Sequence, residues 1–119
     1  MVVEDLVGEF SVIGSNQNEG ENEYKGTLSI ILDSNNRIIA NWLIGKEQKQ
    51  TGYGFFNDNI LVINFQYLDD DEYVYKGVVV YRCLNKDILD GFWSEELGDP
   101  KFLGYERCFR IQEDSQTNC

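Results

Sequence analysis

Residues 24–45 read YKGTLSIILDSNNRIIANWLIG. Leu28, Ile30 and Leu32 alternate with Thr27, Ser29 and Ile31. After the polar cluster Asp33-Ser34-Asn35-Asn36-Arg37, Ile38, Ala40, Trp42 and Ile44 alternate again. Two runs of period two around a set of turn formers make a β-hairpin. The same pattern continues in both directions, and helical spacing is nearly absent. Eight strands are expected, over 8–13, 24–32, 37–45, 51–56, 60–67, 74–83, 88–94 and 103–110. Every connection is short, which favours a meander closing on itself over a sandwich with long crossovers. Closure also removes the exposed sheet edges. The expected fold is therefore all-β: an eight-stranded antiparallel up-and-down barrel, calycin-like, with an interior wide enough for side chains or one small ligand.

A chain of 119 residues has room for one such domain. Residues 1–119 are read as one unit with its core at 8–111. Residues 1–7 form an arm or one helical turn, and 112–119 a mobile tail.

An internal echo runs at a separation of 51. Tyr24-Lys25-Gly26 returns as Tyr75-Lys76-Gly77, and the two tryptophans, Trp42 and Trp93, stand at the same separation. This pattern divides the barrel into two four-strand halves related by a pseudo-twofold. The competing reading is that Tyr and Trp are simply good strand residues. Strand phase turns Phe10, Val12, Tyr24, Leu28, Ile30, Leu32, Ile38, Ala40, Trp42 and Ile44 inward. In the second half it turns Leu61, Ile63, Phe65, Tyr75, Val79, Tyr81, Leu89 and Trp93 inward. Gly26, Gly77 and Gly91 fall among these large rings, the small/large mixture a tapered interior needs.

The chain carries 10 Lys+Arg against 21 Asp+Glu, a net charge of −11. That argues against nucleic acid and anionic lipid as partners. With no histidine, a His triad, a His general base and a His-ligated metal are excluded. In a meander alternate loops share one end. The first, third, fifth and seventh loops carry eleven acids, among them Glu21, Glu23, Asp70, Asp71 and Glu72, against only Lys46, Lys49 and Lys101. Tyr24 and Tyr75 begin strands at this mouth, and Trp42 and Trp93 lie near the ends of strands running toward it. Four rings beneath a carboxylate rim suit a small cationic or amphipathic ligand. The bland reading is a hydrophobic plug under a solvated rim. Asp69-Asp70-Asp71-Glu72 lacks the DxDxDG spacing of a calcium loop, so neither a metal nor a cofactor is expected. Glu106 and Arg107 alternate within the last strand, so one of them points inward, with Arg82 as a candidate ion-pair partner.

The expected function is non-catalytic binding of a small molecule at the barrel mouth. The alternative is an acidic protein-interaction module, in its sharpest form a nucleic-acid mimic seated on a basic partner. Tyr53 and Phe55, Ile60 and Val62, and Val74, Val78 and Val80 fall on the outer face of three consecutive strands, which predicts a homodimer contact. Cys83, Cys108 and Cys119 are widely spaced. They read as core residues and a free thiol, or as a Cys83–Cys108 disulfide. The start, MVVEDLVGEF, has no basic stretch of an export signal, and a cytoplasmic location is expected.

The segments GEFSVIGSN, YKGTLSI, IANWLIG, TGYGFF, YKGVVVY, LDGFW and LGYE, spread over residues 8–107, resemble a group of short bacterial proteins often labelled fibronectin-binding protein. That resemblance implies a small all-β domain and carries over no functional residue. At the level of fold, the meander with its short N-terminal arm is similar to avidins and lipocalins, and fold alone does not give function.

Overall fold

The hairpin of residues 24–45 forms in the register its alternation requires, with Gly26 opposite Ile44, Leu28 opposite Trp42 and Leu32 opposite Ile38. This is seen in a computed structural model that describes residues 1–20 and 22–112. The eight strands are β1 Gly8–Ser15, β2 Glu23–Leu32, β3 Ile38–Ile44, β4 Gln48–Asn57, β5 Ile60–Leu68, β6 Val74–Asn85, β7 Ile88–Glu95 and β8 Gly104–Arg110. Each pairs antiparallel with its chain neighbour, and β8 returns to β1 to close the barrel. The up-and-down order places the four odd loops at one end, the mouth, and the three even loops at the other, the base. Among the described residues no helix is long and apolar enough to cross a membrane.

Turn chemistry sets the strand ends. The β4–β5 hairpin turns on Asp58 and Asn59 alone, both at positive φ, the type I′ geometry that matches strand twist. Gly45 takes φ +64 in the β3–β4 turn. That turn is tighter than the sequence suggested, so β4 begins at Gln48 rather than at 51. Gln48 and Gln50 thereby become strand residues. β6 runs on to Asn85 through an irregularity between Cys83 and Asn85.

The expected inward phase is observed. Phe10, Leu28, Ile30, Ile38, Ala40, Leu61, Ile63, Tyr81 and Leu89 are fully buried. Large rings lie over glycines on neighbouring strands. A Cβ on Gly104 would fall 2.0 Å from the Trp93 ring, one on Gly91 2.6 Å from Tyr81, and one on Gly77 2.4 Å from Phe65. Each pair sits directly opposite in the ladder, so a small residue makes room for each ring. The pseudo-repeat is partly visible. At the separation of 51, Gly26↔Ile44 maps onto Gly77↔Glu95 and Leu28↔Trp42 onto Val79↔Trp93. The flanking pair breaks it by two residues, because Phe10 faces Leu28 while Leu61 faces Tyr81.

The base is closed. Residues Val3–Leu6 form a 3₁₀ turn that buries Leu6 completely. Arg110 sits 4.7 Å over the Phe10 ring and donates to the carbonyls of Val7 (2.8 Å), Asp5 (2.5 Å) and Lys86 (2.7 Å). It also pairs with Asp87 at 3.1 Å. Cys83 and Cys108 are buried free thiols, not a disulfide. They lie on β6 and β8 with Leu89 of β7 between them in the ladder, too far apart to bridge. Cys119 and the rest of the expected tail from residue 113 lie outside the described residues.

Candidate functional site

Alternation along β8 turns Gly104, Glu106 and Cys108 into the barrel and Arg107 out. Glu106 is 6% exposed and is the one charged residue in the core among the described residues. Its partner is not Arg82, which shares the outward phase; Arg107 pairs instead with Asp90 at 3.4 Å on the outside. Glu106 is held by neutral donors. The Tyr24 hydroxyl donates to Oε1 at 2.8 Å. Trp42 Nε1 (3.2 Å), the Tyr81 hydroxyl and the Cys108 thiol (3.8 Å) converge on Oε2. Trp93 Nε1 in turn donates to Tyr24 at 2.9 Å. One indole, two phenols and a thiol thus donate to one carboxylate, and the second indole reaches it through Tyr24.

Burial pushes the Glu106 carboxyl up, against the pull of its four donors. Burial and the neighbouring carboxylate raise Tyr24, and burial with the adjacent Cys108 and Glu106 raises Tyr81. Cys108 is raised likewise, while burial alone lifts Cys83 to about 11. All of these hydroxyls and thiols therefore stay protonated near neutral pH.

Above Glu106 a cavity of about 320 Å³ opens toward the mouth. Tyr24, Trp42, Phe65, Tyr67 and Trp93 supply its rings, Val79 and Ile44 its aliphatic wall, and Asn16, Gln48, Gln50 and Glu95 its polar upper edge. Among the described residues, no lysine or arginine lines it. Phe65 meets Trp42 and Trp93 edge to face, with centroids 6.2 and 6.1 Å away. The Tyr67 hydroxyl donates to Glu95 at 2.5 Å. Gln17 binds the first loop to the last wall: its Oε1 accepts from the Glu95 amide at 2.9 Å and its Nε2 donates to Ser94 at 2.9 Å.

Of the four expected ring residues, Tyr24, Trp42 and Trp93 line this cavity together. Tyr75 does not. It stacks on Tyr67, centroids 5.3 Å apart, outside the lining, because its strand partner Tyr67 takes the inner place. Glu23, Asp70, Asp71 and Glu72 are exposed at the mouth and none reaches the cavity; Glu21 lies outside the described residues. Among the described residues, the carboxylates that do face it are Glu95 and Glu106.

The expected dimer residues point outward, with Tyr53 63% and Phe55 59% exposed. Val78 is also exposed, and Val62 and Val80 are half-buried. In the ladder Phe55, Val62, Val80, Phe92 and Tyr105 are successive cross-strand partners, one apolar row over five strands.

No family model matches the chain, and no curated protein matches it in sequence. The fold is found among solved structures. A redesigned β-barrel superposes with a TM-score of 0.68 at 13% identity, over 92% of this chain and 95% of that one. The redesigned barrel mFAP0, bound to DFHBI, gives 0.67 at 17%, over 89% and 99%. A DUF3598 protein of unknown function from Nostoc punctiforme gives 0.53 at 14%, and this chain spans 49% of it. These likenesses are of fold.

Proposed function

We propose that this chain is a non-catalytic binding protein whose mouth cavity takes a small cationic, amphipathic molecule. The observation that carries the reading is Glu106, a carboxylate at the cavity floor whose partners are all neutral donors. Burial disfavours the ionised form of Glu106, and a cation seated beside it in a water-poor, ring-lined site offsets that cost by charge pairing and ring contact. The cavity lies at the small end of the range for ligand pockets, which limits the guest to a compact molecule. Redesigned barrels of the same fold, mFAP0 and mFAP1, hold the small molecule DFHBI. Protonated hydroxyls and thiols around Glu106 make poor nucleophiles, which supports binding rather than catalysis. A nucleic-acid mimic would need carboxylates spaced along a face, whereas Asp70, Asp71 and Glu72 cluster in one loop at the mouth. The free thiols in the core support a reducing, cytoplasmic setting.

Trp42 and Trp93 are the two tryptophans and both line the cavity, so their fluorescence reports its occupation. Small ammonium compounds should give a saturable change and their carboxylate counterparts none. A response to anions alone, or to no compound, contradicts the reading.

The apolar row on the outer face favours a second reading for that surface, a contact with a second copy of the chain. Val78→Glu with Val80→Lys should then convert a dimer to a monomer in sedimentation. A native protein that sediments as a monomer at high concentration removes the dimer.

A further inference from the structure

The hydrogen-bond inventory of the floor says more about the guest than its charge does. A carboxylate offers about four acceptor sites. Four donors already point at Glu106: Tyr24, Tyr81, Trp42 and Cys108. Both indole N–H groups are spent as well, Trp42 on Glu106 and Tyr81, Trp93 on Tyr24. The floor therefore presents charge and ring surface but hardly a free acceptor. A primary ammonium brings three N–H donors, and a donor left unpaired in such a place costs affinity. An ammonium whose hydrogens are replaced by methyl groups brings the same charge with no donor to satisfy. Its methyl groups also pack against the faces and edges of Trp42, Phe65 and Trp93.

We infer that the guest's head is a methylated, quaternary or tertiary, ammonium seated above Glu106 among Trp42, Phe65 and Trp93. The polar upper edge, Asn16, Gln48, Gln50 and Glu95, then meets the guest's other end. This rests on the reading of the mouth as a cation site and specifies the cation.

The test is a series on the wild-type protein: benzylammonium, its N-methyl and N,N-dimethyl forms, and benzyltrimethylammonium, titrated by calorimetry and tryptophan fluorescence. Affinity should climb along the series, by about tenfold from the primary to the quaternary compound. The gradient should flatten in Glu106→Gln, where the charge is gone, and the wild-type series stands even if that variant folds poorly. Equal or tighter binding of the primary ammonium overturns the methylated head while leaving the cation site standing. If no member of the series binds, the cation site itself falls, and this inference with it.

Discussion

At the base of the barrel Leu6, Ile38, Leu61 and Leu89 are fully buried, and Arg110 is tied to three backbone carbonyls across the opening. At the mouth Tyr24, Trp42, Phe65 and Trp93 surround a cavity above Glu106 instead of filling it. The same strands, with the same period-two alternation, build both ends. What differs is the residue type at the inward positions. Aliphatic chains interdigitate to crystal-like density. Rings locked over glycines and tethered to a carboxylate hold their places and leave space between them. The base supplies stability and the mouth is shaped for a guest, so substitutions at the two ends should be separable.

The largest effect is expected at the base. Phe10→Ala removes a fully buried ring on which Arg110 rests, and should cost about 3–5 kcal/mol in urea unfolding. A cost below about 1 kcal/mol would mean that the base is not the stability anchor. Gly104→Ala carries the comparison to the mouth. The new methyl meets Trp93 and must displace it, so about 1–3 kcal/mol should be lost, together with the Trp93–Tyr24 hydrogen bond. An unchanged near-ultraviolet tryptophan spectrum would show that the ring is not held there.

Glu106→Gln sharpens the comparison through pH. The amide cannot accept from every donor that serves the carboxylate, so about 1–3 kcal/mol should be lost. Burial raises the folded carboxyl above its ordinary value of 4.5. A raised value favours the fold in the protonated state, fully below about pH 4.5, and that contribution is lost as pH rises through the raised value. The stability of wild type over Glu106→Gln should therefore grow as pH falls from neutral. A margin that shrinks toward acid would mean that the four donors outweigh burial. The smallest effect belongs to Gln50→Ala on the polar upper edge. It should shift stability within about 0.5 kcal/mol, while weakening the binding of guests with a polar tail.

The hairpin of 24–45 made the barrel legible, because period two fixes both element type and facing. Trp42, Trp93 and Tyr24 could be placed at the mouth from strand phase together with their places near the strand ends. Tyr75 could not be excluded that way, since parity gives the face of a residue and not its depth beside Tyr67. Glu106 stood out as an acid alternating with Arg107 inside a strand. Its partners come from β2, β3 and β6, three strands that only barrel closure brings around β8. Charge counting drew attention to Asp70, Asp71 and Glu72, the plentiful acids, which are solvated. The single acid that matters most is in the core. Gln48 and Gln50 were hidden by a turn that Gly45 makes shorter than its polar flanks suggest.

The central claim is that the negative charge of Glu106, and not apolar volume alone, selects the guest. Benzyltrimethylammonium and neopentylbenzene test it directly, because they have the same shape and differ by a nitrogen cation in place of a carbon. Their dissociation constants for the wild-type protein, read from tryptophan fluorescence at neutral pH, should differ by at least about tenfold in favour of the cation. Equal affinity, or tighter binding of the hydrocarbon, would contradict the account and leave the mouth a greasy pocket with a solvated rim.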